Sequence, residues 1–150
     1  MNEALKEAVK AFDKDEVPVG AVIVHKGTII ARAHNQIKML KDPTAHAEMI
    51  AITQASGYLQ NERLIDCYMY VTIEPCGMCA GAMVLARIKN LIYAADDPKT
   101  GACGSIVNLV NHKKLNHRIK VKKGILEEES AGLLREFFRN KRSKIFGEVA

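Results

Sequence analysis

The sequence predicts an α/β protein, built as a three-layer α/β/α sandwich around a mixed five-stranded sheet. Apolar runs with strand-like composition alternate with segments whose apolar residues recur at helical spacing. Helices separate strand candidates, and a helix is the connection that parallel strands need. The chain has 150 residues, of which 48% are hydrophobic. This is enough for one core, so residues 1–150 are expected to form a single domain.

The first half of the chain predicts two helices and two strands. Between Ala4 and Phe12, apolar residues recur at helical spacing, which predicts an opening helix. Val19 to Val24 indicates a buried strand, and the tight turn Lys26-Gly27 leads to a second strand, Thr28 to Ala33, as in a hairpin. After a polar loop, the second helix is predicted to follow Thr44, a candidate N-cap.

The middle of the chain predicts a strand, a helix and another strand in that order. Residues Cys67 to Ile73 mix aromatic, apolar and β-branched side chains, as strands do. Pro75 then stands where a helix can begin, and Leu91 to Ala95 indicates the fourth strand. A helix between these two strands allows them to be parallel.

The last third predicts a long loop, a short strand and a C-terminal helix. Residues 96–117 contain Asp-Pro, two glycines and few periodic positions, so we expect a loop with one short helical turn around Val107 to Val110. Loops this long in compact domains are usually functional. Arg118 to Lys122 predicts the fifth strand, and a basic helical segment is expected at about 125–145.

Positive charge is concentrated at the C-terminal end. The net charge is +5, yet residues 1–110 hold 11 Lys and Arg against 12 Asp and Glu, whereas residues 111–150 hold 11 against 5. A basic patch of this kind fits a phosphate-rich partner, and a solvated helix face accounts for it equally well. Charge alone therefore leaves the partner open.

No segment of the sequence is typical of a membrane span or an export signal. Charged residues interrupt the first sixteen positions, and nowhere do 18 uncharged apolar residues run together. We therefore expect a soluble, cytoplasmic protein with no membrane partner. In a reducing compartment, the four cysteines favour thiolate chemistry over disulfides.

His46, Cys76 and Cys79 form the strongest candidate site in the sequence. The two cysteines are expected to share one face of a helix start, where exposed N–H groups favour thiolates. With His46 they supply three ligands and leave a fourth tetrahedral position for water, which is typical of a catalytic zinc site. Two thiolates and an imidazole favour zinc over magnesium or calcium.

A C-x-x-C pair alone is equally typical of a redox pair, half of a structural zinc site or two packed thiols. A redox motif does not need the upstream His-x-Glu. A closed structural site would need a fourth ligand, recruited from Cys67, Cys103, His112 or His117. For Cys67 and Cys103, a packed or partly exposed thiol is the favoured interpretation.

Glu48 lies two residues after His46, so it is expected to face the same cavity without binding the metal. A carboxylate beside a metal-bound water can accept its proton and pass it to the substrate. For an isolated glutamate, a place on the helix surface is the ordinary alternative. The neighbouring ligands favour the catalytic role here.

The motifs together resemble one enzyme family. His46, Glu48, Pro75, Cys76 and Cys79 match the H-x-E…P-C-x-x-C signature of zinc deaminases. Further segments resemble the bacterial tRNA-specific adenosine deaminases, which convert the wobble adenosine of an anticodon to inosine. These segments are Glu-Val-Pro-Val-Gly-Ala at 16–21, Ala-His-Asn at 33–35, Asp-Pro-Thr-Ala-His-Ala-Glu at 42–48, Tyr-Val-Thr-Ile-Glu-Pro-Cys at 70–76, Asp-Pro-Lys-Thr-Gly at 97–101, Asn-His-Arg at 116–118 and Glu-Phe-Phe-Arg at 136–139.

The resemblance implies a cytidine-deaminase-like fold, a homodimer and one Zn²⁺ per subunit. It also implies that the target base of a tRNA anticodon stem-loop is turned out of the loop into the metal site. In that arrangement Asn35 and the backbone at Ala47 contact the flipped nucleoside, and Asp97 and Lys99 bind the substrate. Gly77 departs from the family, which often has a bulkier apolar residue between the cysteines.

These features predict hydrolytic deamination of the wobble adenosine, with zinc activating the water and Glu48 moving the protons. A deaminase of a free base or nucleoside, such as guanine, cytosine or cytidine, would keep the same ligands, but the basic C-terminal third and the long loop favour a polynucleotide. A non-catalytic zinc- and RNA-binding subunit would have no need for Glu48.

The residues expected to contact tRNA phosphates are Lys120, Lys122, Arg139, Lys141 and Arg142.

Overall fold

The computed structural model describes residues 1–149, with the side chains of residues 1–147. Five helices and five strands make up this part of the chain. The helices are α1 (Asn2–Asp13), α2 (Ile37–Leu40), α3 (Ala47–Leu59), α4 (Gly77–Ala86) and α5 (Glu127–Val149). The strands are β1 (Gly20–His25), β2 (Thr28–His34), β3 (Cys67–Ile73), β4 (Asn90–Ala95) and β5 (Lys120–Lys123).

The strands form one mixed sheet in the order β2-β1-β3-β4-β5. β1 is antiparallel to both β2 and β3, whereas β3, β4 and β5 are parallel to one another. α1 and α5 contact each other and the sheet, and α3 and α4 contact each other while α3 packs on β1 and β2. The predicted three-layer α/β/α architecture with five strands is therefore confirmed.

The middle of the sheet is covered on both faces. Ala21, Val22 and Ile23 follow one another along β1, and each is buried although successive side chains point to opposite faces. A strand that is apolar on both faces is what a sheet between two helical layers requires. The hairpin register pairs Gly20 with His34, so β2 ends beside the start of β1.

Helix α1 lies close to the sheet because both contact surfaces are built from small residues. Ala4, Ala8 and Ala11 are fully buried along one face of the helix. A Cβ added at Gly20 would overlap the carbonyl oxygen of Ala4. Glycine at this position therefore allows the helix backbone to approach β1.

Two local predictions are wrong. Thr44 does not cap α3, because its N–H and its hydroxyl both donate to Asp42, at 2.8 and 2.7 Å, and the N-cap is His46. The short helical turn around Val107 to Val110 is absent from the described chain. That segment pairs instead with the preceding turn, through an antiparallel bridge between Cys103 and Asn108.

Other boundaries differ by small amounts. α4 begins at Gly77 after the N-cap Cys76, so Pro75 precedes the helix. β5 begins at Lys120, two residues later than predicted, and the C-terminal helix reaches Val149. The four-residue helix α2, in the polar loop before His46, was not predicted. None of the helices in the described chain has the length and apolarity to cross a membrane.

β2 and β3 run in the same direction, because each is antiparallel to β1. Their C-terminal ends therefore lie at one edge of the sheet. Asn35 follows β2, and Glu74, Pro75 and Cys76 follow β3. This edge collects the polar residues of the candidate site, as is common in open α/β sheets.

Candidate active site and metal centre

The N-terminal ends of α3 and α4 meet where the C-terminal ends of β2 and β3 lie. His46 is the N-cap of α3 and Cys76 is the N-cap of α4, and both have extended backbone conformations. Neither side chain caps its own helix. The imidazole and the thiol are therefore free to point at each other. Cys79 lies in the first turn of α4 and is buried.

The three side chains converge as the sequence predicts. His46 Nδ1 lies 3.6 Å from Cys76 Sγ and 3.6 Å from Cys79 Sγ. All three candidate ligand atoms lie within 4.8 Å of one another. Nδ1 is therefore the imidazole nitrogen that faces the sulfurs. One imidazole and two thiolates in this arrangement can hold a single metal ion such as zinc.

The three candidate ligands influence one another's ionisation. Hydrogen bonds from Cys79 and His46 lower the pKa of Cys76 to about 3. The same interaction with Cys76, together with burial, raises the pKa of Cys79. Cys76 also raises the pKa of His46. Cys76 is thus the more acidic of the two thiols, and the N-terminus of α4 adds to the stabilisation of its thiolate.

Glu48 is a buried acid with an unpaired oxygen. It is the second residue of α3, only 2% of it is exposed, and its Oε1 makes no hydrogen bond with the described residues. Burial raises the pKa of this carboxyl above its usual value. An acid with a free oxygen and a raised pKa beside these candidate ligands suits a residue that takes up and releases protons.

Asn35 and Ala47 contact each other. Asn35 Oδ1 accepts a hydrogen bond of 2.8 Å from the N–H of Ala47, and the side chain is buried. The bond joins the end of β2 to the first turn of α3. Asn35 Nδ2 makes no hydrogen bond with the described residues, so the amide nitrogen is the part of this pair that can serve a substrate.

Asp97 and Lys99 lie in the loop beside Cys76. The Asp97 carboxylate accepts hydrogen bonds from the N–H groups of Lys99 and Thr100, at 3.0 and 3.2 Å, and from the Thr100 hydroxyl at 2.7 Å. Gly101 then pairs with Cys76 in an antiparallel bridge. Asp97 therefore shapes the turn that carries the exposed Lys99, two residues before Gly101.

The five basic residues lie on two elements. Lys120 and Lys122 are exposed on the edge strand β5, and Arg139, Lys141 and Arg142 lie on α5. Lys141 differs from the others, because its ammonium group lies 2.7 Å from Asp15 and 5.6 Å from the centre of the Phe137 ring. Lys141 and Lys38 together lower the pKa of Asp15 to about 2.

Glu74 was not among the site residues predicted from the sequence. Glu74 is 1% exposed, and its carboxylate accepts hydrogen bonds from three residues of the loop that follows β4. The signal in the sequence was an acidic residue at the end of an apolar strand, directly before Pro75-Cys76. Charged residues in such places are seldom buried unless they have partners.

Comparison with known proteins agrees with this geometry. The model of the MafB19-like deaminase family matches residues 1–142. The tRNA-specific adenosine deaminase of Bacillus subtilis (strain 168) is 49% identical over 144 residues, which are 96% of this chain and 89% of that protein.

Two solved structures are also similar. One comes from studies of A-to-I editing by tRNA:A34 deaminases at the wobble position and has a TM-score of 0.87 and 47% identity, over 89% of this chain and 97% of that one. The other, a guanine deaminase of Bacillus subtilis, has a TM-score of 0.62 and 32% identity, over 93% and 90% of the two chains. The chain thus belongs to the MafB19-like deaminase family and to the family of the tRNA-specific adenosine deaminases.

Proposed function

We propose that this protein converts the wobble adenosine of a tRNA anticodon loop to inosine by hydrolytic deamination. One observation carries the chemistry: the buried carboxyl group of Glu48, with its unpaired Oε1, lies two residues from His46, which faces Cys76 and Cys79. The substrate follows from the relatives, since the tRNA-specific deaminase is far more similar to this chain than the guanine deaminase is.

The metal in this proposal is one zinc ion per chain. His46 Nδ1, Cys76 and Cys79 would hold it, since their donor atoms lie close together and their chemistry is that of a zinc ligand set. When bound, zinc lowers the pKa of a coordinated water toward neutrality. Three ligands rather than four suit this use, because they leave room for the water.

Glu48 moves two protons in the proposed reaction. As water adds to C6 of the adenine, Glu48 accepts a proton and gives it to ring N1. It then takes the remaining proton of the new C6 hydroxyl and gives it to the amino group. The bond between C6 and the amino nitrogen breaks, ammonia leaves, and the C6 carbonyl of inosine remains. The burial that raises the pKa of Glu48 helps the residue to hold each proton between the two transfers.

We propose that four basic residues contact the phosphates of the RNA: Lys120, Lys122, Arg139 and Arg142. These four basic residues form no ion pairs within the described chain, so their charges can serve a polyanion. Turning out an unpaired loop base costs less than opening a base pair, which favours a hairpin loop over a duplex. Asn35, Lys99 and the neighbouring backbone would contact the nucleoside that enters. A tRNA substrate would place the enzyme in the cytoplasm.

We also propose that the protein forms a homodimer. Apolar side chains are exposed at several places on the single chain, where they leave surface for a second copy. They include Met39 and Leu40 of α2, Leu85 of α4, and Ile106 and Val107 of the long loop. Sedimentation at micromolar concentration tests this, and a fully active monomer would contradict it.

Incubation with an anticodon stem-loop that carries a wobble adenosine tests the function. We expect inosine, detected by mass spectrometry of the digested RNA, and no reaction with the same stem-loop carrying guanosine or cytidine at that position. The Glu48→Gln variant is the control, because it removes the proton carrier alone. If the parent protein deaminates free guanine, cytosine or cytidine in preference to the stem-loop, the alternative of a free-base or nucleoside deaminase is correct. If it binds the stem-loop and deaminates nothing, the non-catalytic alternative is correct.

A further inference from the structure

Glu74 has no part in the proton transfers, yet it is among the most buried side chains in the protein. It follows β3 and precedes Pro75 and Cys76, and its own N–H donates to the carbonyl of Ala95 at 2.8 Å. A buried carboxylate is costly unless its oxygens are satisfied. The partners of Glu74 therefore indicate why the residue is present.

All side-chain partners of Glu74 belong to residues 97–105, which we name the 97–105 loop. Oε1 accepts hydrogen bonds from the N–H of Asp97, at 3.1 Å, and from the Ser105 hydroxyl. Oε2 accepts from the N–H groups of Cys103 and Ser105, at 3.0 and 3.1 Å. The loop thus wraps around one carboxylate, and bonds to an ionised acceptor are stronger than bonds between neutral groups.

The fit between the loop and Glu74 leaves no spare space. A Cβ added at Gly101 would overlap Glu74 Cδ and would lie 2.5 Å from the carbonyl oxygen of Asp97. Gly101 is also the residue that pairs with Cys76, and the next N–H, of Ala102, donates to the carbonyl of Pro75 at 2.9 Å. The loop is therefore fastened both to Glu74 and to the backbone of a metal-binding residue.

We propose that Glu74 is a positioning residue for RNA, which holds the 97–105 loop as the wall of the substrate site beside Cys76. It acts through the loop, which presents Lys99 and Thr100, and it does not touch the substrate. The substrate in this inference rests on the proposed function, whereas the holding of the loop rests on the hydrogen bonds alone.

Kinetics of Glu74→Gln test the proposal. The amide keeps the size of the side chain but replaces one acceptor oxygen by a donor, which faces N–H groups that also donate. We expect KM for the stem-loop to rise about tenfold or more, as the loss of charge-assisted hydrogen bonds in the loop predicts, with kcat within about threefold of the parent. Zinc content should stay unchanged. Glu62→Gln, which neutralises an exposed carboxylate after α3, is the control and should leave KM as it is.

A purely structural role for Glu74 gives a different result. Partial misfolding lowers the number of active molecules, so kcat per chain would fall while KM stayed the same. A role in holding the metal would lower zinc content. Either outcome overturns the proposal. If Glu74→Gln does not fold, Ser105→Ala is measured in its place, since it removes one hydroxyl donor to Glu74. This variant should also raise KM for the stem-loop. An unchanged KM would then contradict the proposal.

Amide hydrogen exchange tests the loop without reference to the reaction. In Glu74→Gln, the amides of Cys103 and Ser105 should exchange faster than in the parent, whereas amides of β3 should not change. Unchanged exchange in the loop would show that Glu74 does not hold it. If the parent enzyme does not act on the stem-loop, the proposed function fails, and this experiment still decides whether Glu74 orders the loop.

Discussion

The side-chain oxygen of Asn35 accepts a 2.8 Å hydrogen bond from the N–H of Ala47, the residue between His46 and Glu48. This N–H is one of the free donors at the start of α3, where the N-cap His46 supplies no side-chain cap. Asn35 therefore takes over the capping of the helix from a position twelve residues earlier. Its side chain fixes the first turn of the helix that carries both the imidazole and the proton-transferring acid.

Asn35→Ala should destabilise the protein, because it leaves a buried N–H without a partner. We expect the free energy of unfolding to fall by about 1–3 kcal/mol, measured by denaturant titration with zinc present. Asn35→Asp is the matched variant, since it keeps an acceptor for Ala47 and removes the amide donor. It should remain close to the parent in stability and raise KM for the stem-loop. Equal KM values would contradict a substrate contact by the Asn35 amide.

Cys79→Ala should remove zinc and stability together, because binding energy at such a site is also folding energy. We expect elemental analysis to give about one zinc per chain for the parent and almost none for the variant. Cys67→Ala is the control, since Cys67 is a buried thiol in β3 and belongs to no metal-binding group in the described chain. It should retain zinc. Full zinc occupancy in Cys79→Ala would refute the ligand assignment.

Glu48→Gln and Glu48→Ala should lose at least about 10²-fold in kcat, the lower end of what general acid–base catalysis contributes. Zinc content and stem-loop affinity should stay at the parent values, because Glu48 binds neither in the proposed mechanism. Single-turnover rates at saturating RNA give the comparison. Near-normal turnover by either variant would mean that another group carries the protons.

The sequence predicts the strands and the candidate metal ligands well, because the strands follow from local composition and the ligands belong to a recognisable signature. β3 spans the residues predicted for it, and His46, Cys76 and Cys79 meet because each lies at a helix start beside the same sheet edge. Strand composition and the spacing of the His-x-Glu and Cys-x-x-Cys motifs are sufficient for such features.

Contacts between distant residues that belong to no recognisable motif could not be predicted. α2 has only four residues, and the N–H of Lys38 within it donates to the carboxylate of Glu16, 22 residues earlier. Thr44 is a residue type that often caps helices, but its N–H and its hydroxyl both donate to Asp42. Helix α3 therefore begins after His46 and not after Thr44. The order of the long loop comes from Glu74, whose partners lie 23 to 31 residues away. Periodicity carries no information about such pairs.

Gly101→Ala should lower both stability and stem-loop affinity. The added methyl group would overlap Glu74, and the Asp97 carbonyl leaves it no alternative space, so the loop must shift. We expect about 1–3 kcal/mol of destabilisation, the usual cost of overpacking. Gly57→Ala is the control, because a Cβ there meets nothing within 4 Å and alanine favours helix, which should stabilise α3 by about 0.5–1 kcal/mol. Thermal unfolding of the two variants should therefore shift in opposite directions.

The basic residues of α5 divide into two groups whose variants should behave differently. Neutralising Arg139 and Arg142 together should weaken stem-loop binding and flatten the slope of log affinity against log salt by roughly 0.7 to 0.9 per lost phosphate contact. Turnover at saturating RNA should stay almost unchanged, because phosphate contacts supply affinity and carry no chemistry.

Lys141→Ala is the informative comparison on the same helix. The Lys141 ammonium group already contacts Asp15 and the face of Phe137, so its charge is used within the protein and its removal should loosen the contact of α5 with the turn after α1. We expect a lower melting temperature with an unchanged salt slope, the reverse of the arginine pair. If both variants keep the parent's affinity and slope, the positive face of α5 is only a solvated helix surface. If Lys141→Ala alone flattens the slope, the ion pair with Asp15 opens when RNA binds.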